Sequence, residues 1–192
     1  MSRVCKIILV CEGWRDSAFA RAFLKEAGVA PGAVDPKPNP GGCGHDWVAK
    51  QFVEEVYNLE RFSEGWGVLG LLDEDGQGAS VRMGKVARLL QASGLSAINA
   101  NEGRCLLLPT RNIETWLYRL KAQRCGNPID LDETADYKSQ PPAGVSALVN
   151  EDCRPAGEYL HSLNHAALPK GCPLILGQAV GQLRAFLNAV RR

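Results

Sequence analysis

An excess of either charge is the first thing this sequence lacks. Its 192 residues carry 22 Lys and Arg against 21 Asp and Glu, a net charge of +1. Neither a strongly basic nucleic-acid coat nor an acidic solubilising tail fits that balance, so any nucleic-acid contact must come from local patches. CxxC pairs are also missing, and the seven cysteines are odd in number. That argues against a disulfide framework and an ordinary zinc knuckle. A reducing cytoplasm is the expected compartment. No apolar run approaches the length of a membrane span, and MSRVCK before a short apolar run is no signal peptide. GxSxG and GxxxxGK[ST] are absent, which removes support for a serine hydrolase or a self-contained ATPase. No internal repeat is visible.

What is present is an alternation of strand and helix signals. With 45% hydrophobic residues the chain can bury a core of its own. Residues 4–11 are expected to form a buried strand, since Ile7, Ile8, Leu9 and Val10 are continuous and apolar. A helix follows over 14–27, with Trp14, Ala18, Phe19, Ala22 and Phe23 at helical spacing and Arg15, Arg21 and Lys25 elsewhere on the wheel. A short strand at 34–37, a helix from 45 or 46 to about 58 and a buried strand at 68–72 come next. A helix over 79–92 carries Arg82, Lys85 and Arg88 as a stripe, read as a wet face, with a phosphate track as the alternative. Residues 104–108 make a fourth strand, and Asn112 caps a helix running through Leu120.

Residues 125–173 contain Pro128, Pro141, Pro142, Pro155 and Pro169. They read as an irregular lobe with short helical pieces, chiefly around 158–165. An amphipathic helix over 176–190 closes the chain. The expected architecture is an α/β three-layer sandwich with a mostly parallel central sheet. Residues 1–124 form its core, and residues 125–192 pack on that core as lobe and closing helix.

Two of these strands end in acid. Glu12 follows the first, and Asp73, Glu74 and Asp75 follow the second. In open α/β sheets the carboxyl ends of strands are where ligands bind. Aspartates two apart at a strand end can turn toward one cation, and hard oxygen donors suit Mg²⁺ or Mn²⁺. Gly76 and Gly78 permit a tight bend and close approach to a phosphate, and the helix after them offers free N–H groups. Asp16 is read as a helix-dipole residue. Glu158, His161 and His165 spell ExxHxxxH, which lacks the HExxH order of metallopeptidases, so zinc is set aside. His45 beside Asp46 reads as a loop histidine near a helix start, with an acid–base pair as the alternative.

Together the motifs resemble the toprim domain of primases, topoisomerases, small RNA-maturation nucleases and OLD-type nucleases. EGxxD is Glu12-Gly13-Trp14-Arg15-Asp16, and DxDxxG is Asp73-Glu74-Asp75-Gly76-Gln77-Gly78. The resemblance covers about residues 4–120. It implies a four-stranded parallel core and Mg²⁺-dependent phosphodiester chemistry on DNA or RNA. Glu12 would act as general acid or base or as a ligand, with Asp73 and Asp75 holding the ion. Gly13, Gly76, Gly78, Arg111 and Lys138 would meet the substrate. LLLPTRNIETWL, at 106–117, adds Glu114 for a second metal or for positioning water. Strand-passage domains and a primase zinc module are not evident. A small stand-alone nuclease of the OLD or phage-defence type is the better match, with a partner ATPase implied by that resemblance. The rivals are a non-catalytic subunit of such an ATPase and a small-molecule nucleotide phosphohydrolase. A closed pocket under the lobe would favour the latter, and a long open groove lined by Arg82, Arg111 and Lys138 would favour nucleic acid.

Overall fold

A computed structural model of the chain describes residues 6–41, 44–62, 66–126, 131–132, 135–164 and 174–191. The strands β1 (Lys6–Cys11), β2 (Val34–Pro38), β3 (Trp66–Leu71) and β4 (Arg104–Leu107) form one sheet in the order β2-β1-β3-β4. Every neighbouring pair is parallel. The helices are α1 (Trp14–Glu26), α2 (Gly44–Phe62), α3 (Ala79–Ala92), α4 (Ile113–Arg124), α5 (Cys153–Asn164) and α6 (Leu174–Val190). The chain is thus α/β, with the four-stranded parallel core expected of it.

Side chains alternate across the sheet with the period of two that a strand imposes. Ile7, Leu9, Leu69, Leu71, Cys105 and Leu107 enter one buried cluster together with α1, α4, α5 and α6. Ile8, Val10, Val68, Leu72 and Leu106 enter another with α2 and α3. Covering both faces is what makes the strands read as unbroken apolar runs. Glycines in β3 set how closely the layers approach. A Cβ on Gly70 would stand 2.7 Å from Phe52 Cδ2 of α2, and one on Gly67 would stand 2.8 Å from the Phe186 ring of α6. Pro36 and Pro38 cannot donate to a ladder, and β2 lies at the sheet edge, where that loss matters least.

Several expectations shift. The helices α2 and α4 run on to Phe62 and Arg124. In the lobe, α5 begins at Cys153, earlier than expected. Pro155 obscures that start, although a proline in the first turn of a helix forfeits no hydrogen bond. The helices α5 and α1 press together at Gly157, where a Cβ would run into the Phe19 carbonyl oxygen. The basic stripe is a wet face at Arg88, which is exposed, and in part at Lys85, but not at Arg82. Arg82 is 2% exposed, Lys85 pairs with Asp46, and Arg88 Nε donates to the Gly84 carbonyl. Trp14 is 59% exposed rather than core-facing. Among the described residues Cys11, Cys105, Cys125 and Cys153 are free thiols, and no helix is long and apolar enough to cross a membrane.

Candidate functional site

The two central strands end level, with Cys11 paired to Leu71, so Glu12 and Asp73 leave the sheet at the same carboxyl edge. Helix α1 starts immediately after Glu12. Its Asp16 reaches back so that the Gly13 N–H donates to Oδ2 at 2.9 Å, the acidic half of a capping box. Gly13 is extended here and lies against that carboxylate, with no room to spare for a Cβ, which would stand 3.3 Å from Oδ2. Helix α4 brings the last acid. Asn112 caps it by accepting from the Thr115 N–H at 3.3 Å, and Glu114 lies in its first turn. The Ile113 N–H donates to Asp73 Oδ1 at 3.0 Å, so Asp73 also faces the positive end of α4. Glu12, Asp16, Asp73, Glu114 and Lys138 line one cavity of about 480 Å³, with Asp75 beside it.

Three of these carboxylates, Glu12, Asp16 and Asp73, resist ionisation. Burial pushes Glu12 from 4.5 up to about 7, helped by the charges of Asp73 and Asp75. Lys138 and the Asp73 N–H oppose that shift. Burial likewise raises Asp73 from 3.8 to about 6 against the pull of Lys138. Asp16 is pushed well above its ordinary value by burial and by the charge of Asp73. Each shift has the sign expected when desolvation and like charge outweigh the available cations.

Those cations are individually placed. Arg15 Nη1 donates to Glu114 Oε1 at 2.8 Å. Arg82 Nη2 lies 3.5 Å from Asp75 Oδ2, and its Nε donates to the Glu74 carbonyl at 3.2 Å. Lys138 Nζ donates to Asp73 Oδ2 at 2.8 Å and stands 3.9 Å from Asp75 Oδ1. A relay delivers Lys138. The Asn112 amide donates to Asp136 Oδ1 at 3.2 Å, and the same oxygen accepts from the Lys138 N–H at 3.0 Å. Glu12 Oε1 and Glu114 Oε2 remain buried without a hydrogen-bond partner. Among the described residues no three His, Cys, Asp or Glu side chains stand ready to hold a metal ion. The ammonium of Lys138 lies between Asp73 and Asp75, where such an ion would go. The donor chemistry nonetheless fits a hard divalent cation, since every group is a carboxylate and two buried oxygens lack partners.

Other expected site residues lie apart from this cleft. Gly76 and Gly78 both adopt positive φ, 71° and 91°, as the turn after β3 requires. Arg111, itself at φ 62°, lays its guanidinium against Gly76 on the far side of that turn. Its carbonyl accepts from the Asp75 N–H at 2.8 Å, so Arg111 shapes the loop that carries Asp75. His45 joins the constellation unexpectedly, with Nδ1 3.6 Å from Asp75 Oδ2 and Nε2 2.8 Å from Asp46. Asp16 does more than face the helix dipole, and Arg15 joins the site as well; both stand inside the EGxxD motif. Glu158 pairs with Arg154 at 2.8 Å and His161 packs edge-on against Phe23, so neither prepares a zinc site. His165 lies outside the described residues.

No family model matches this chain, and no curated protein does. Among solved structures, it aligns with the C-terminal region of the Xanthomonas campestris pv. campestris OLD protein at 15% identity. The alignment covers 96% of each chain with a TM-score of 0.38. Likeness at that level assigns no activity, so the functional argument rests on the acid cleft.

Proposed function

We propose that this chain is a metal-dependent nuclease that processes phosphodiester bonds in nucleic acid. One observation carries the reading: five carboxylates meet at the carboxyl edge of a parallel sheet, and two of their buried oxygens have no partner. Buried polar atoms are rarely left so, and an acid cluster this poorly neutralised calls for a cation. Glu12, Asp73 and Asp75 would hold Mg²⁺ or Mn²⁺. When bound, such an ion supplies electrostatic stabilisation of charge on phosphoryl oxygens. Glu12, raised to about 7, is suited to exchange a proton with the attacking water or the leaving oxygen near neutral pH. Glu114, fixed through one oxygen by Arg15, presents the other to the cleft and can orient the water. Lys138 neutralises Asp73 and, released from it, can contact a phosphate oxygen.

The test is cleavage of mixed DNA and RNA substrates with Mg²⁺ or Mn²⁺. Wild type would be compared with Glu12→Gln and with Asp73→Asn/Asp75→Asn. Metal-dependent cleavage that disappears in both variants is the expected outcome. Cleavage persisting in both would place the chemistry elsewhere.

A further inference from the structure

A second cavity, of about 660 Å³, adjoins the acid cleft and shares Trp14 and Asn150 with it. Its floor is one stripe of α1: Trp14, Ala18, Arg21 and Lys25 recur at intervals of four, three and four residues. The small Ala18 leaves the stripe open between an aromatic end and a basic end. Trp14 is 59% exposed, whereas the other large aromatics of α1, Phe19 and Phe23, are 1% exposed. Arg154 from α5 lies across the groove, already paired with Glu158 at 2.8 Å, and among the described residues Glu151 is the one acid lining it. Arg21 and Lys25 make no ion pair among the described residues, in a chain whose net charge is only +1. An exposed tryptophan beside a carboxylate cleft, followed by free cations, has the form of a base platform followed by a phosphate track.

We propose that this groove holds the single-stranded segment of a nucleic acid, with one base stacked on Trp14 and the adjoining phosphates along Arg21 and Lys25. The proposal rests on the nuclease reading only for the link between groove and cleft. Between Trp14 and Lys25 the helix rises about 16 Å, enough for a few nucleotides. A duplex cannot offer the face of an internal base to an indole, whereas an unpaired strand can. Trp14 lies two residues after Glu12 and lines both cavities, so a strand stacked on it runs beside the acids.

The experiment is binding of fluorescein-labelled dT12 and U12 by anisotropy in EDTA, with a 12-base-pair duplex as competitor. Trp14→Ala is expected to weaken single-strand binding roughly 5- to 150-fold, the loss of one stacked base, while Trp14→Phe retains most of it. Arg21→Gln/Lys25→Gln should reduce the salt slope by about 1.4, or roughly 0.7 for each phosphate contact. Circular dichroism checks that these surface variants fold. Adding dU12, which differs from U12 in the sugar alone, tells deoxyribose from ribose. Unchanged affinity in Trp14→Ala would overturn the proposal, as would no single-strand binding by wild type. Tighter binding of the duplex, or a dimer in sedimentation that Trp14→Ala dissociates, would also overturn it. Trp14-dependent binding without metal-dependent cleavage would keep the groove and remove the nuclease reading. Cleavage indifferent to Trp14 would do the opposite.

Discussion

Replacing Asp73 by Asn should make the metal-free protein more stable at pH 8. Asp73 is 3% exposed, and its carboxyl is raised from 3.8 to about 6 even with Lys138 at 2.8 Å. At 1.36 kcal/mol per unit, the folded chain bears about 3 kcal/mol for ionising this group. A carboxyl that binds its proton more tightly when folded contributes most below its unfolded value, and that contribution fades as pH rises through the folded one. Stability without metal should therefore fall between pH 4 and about 7. The variant's amide oxygen can still accept from the Ile113 N–H, now at 3.0 Å to Oδ1. Its loss is the Lys138 contact, softened because that side chain is 43% exposed and can turn to water or to Asp75. The net gain at pH 8 should be about 2 kcal/mol, or about 4–8 °C in Tm for a chain of this size. At pH 4 the gain should vanish. Thermal melts in EDTA at pH 4, 6 and 8, repeated with Mn²⁺, read both effects; Mn²⁺ should stabilise wild type at pH 8 and not the variant. If Asp73→Asn melts below wild type at pH 8 in EDTA, the Asp73–Lys138 pair is a net support, and the argument from excess negative charge fails.

Further outcomes are expected elsewhere in the molecule. Lys138→Met removes the ammonium that competes for Asp73 and Asp75, and should tighten Mn²⁺ binding up to roughly fivefold in calorimetry. Arg15→Met leaves the buried Glu114 without its cation and should cost about 2–3 kcal/mol in urea unfolding, discounted because Arg15 is 34% exposed. Adding Glu114→Gln should restore much of that loss. Gly157→Ala should destabilise by about 3 kcal/mol, since its Cβ meets the backbone of α1 and rigid helices cannot yield. Gly84→Ala, in α3 with open space around it, should instead stabilise by about 0.5–1 kcal/mol in the same assay.

The legible parts of the sequence are those written locally. IILV and VLGLL are continuous because both sheet faces are covered, and α3 is bounded as its pattern predicts, at Ala79–Ala92. A helical wheel misplaces Trp14, because it gives direction and not how far the sheet extends beneath. Phe19 and Phe23 lie over strands, whereas Trp14 occupies the first position of α1, beyond the edge where β1 stops. The start of α5 was hidden by a proline that disrupts a helix only in its interior.

The candidate site divides the same way. DEDG is good turn chemistry whether or not it binds anything, and it does form a turn, with Asp75 at φ 51°. Turn chemistry explains neither the burial of Asp73 nor its place at the start of α4. Asp16 shows the converse error. An acid in the first turn is favourable at any helix, so the dipole explanation was sufficient and hid the rest. At 4% exposure, with Glu12, Asp73 and Glu114 all acting on it, Asp16 gains far less from the dipole than it loses by burial. Lys138 is a candidate from sequence, but its seat against Asp73 is not written locally, because it depends on Asn112 holding Asp136 and on Asp136 holding the Lys138 backbone. Such a relay has no period. It follows only once α4 is in place, when the amide that caps the helix also anchors the loop carrying the cation opposite the acids.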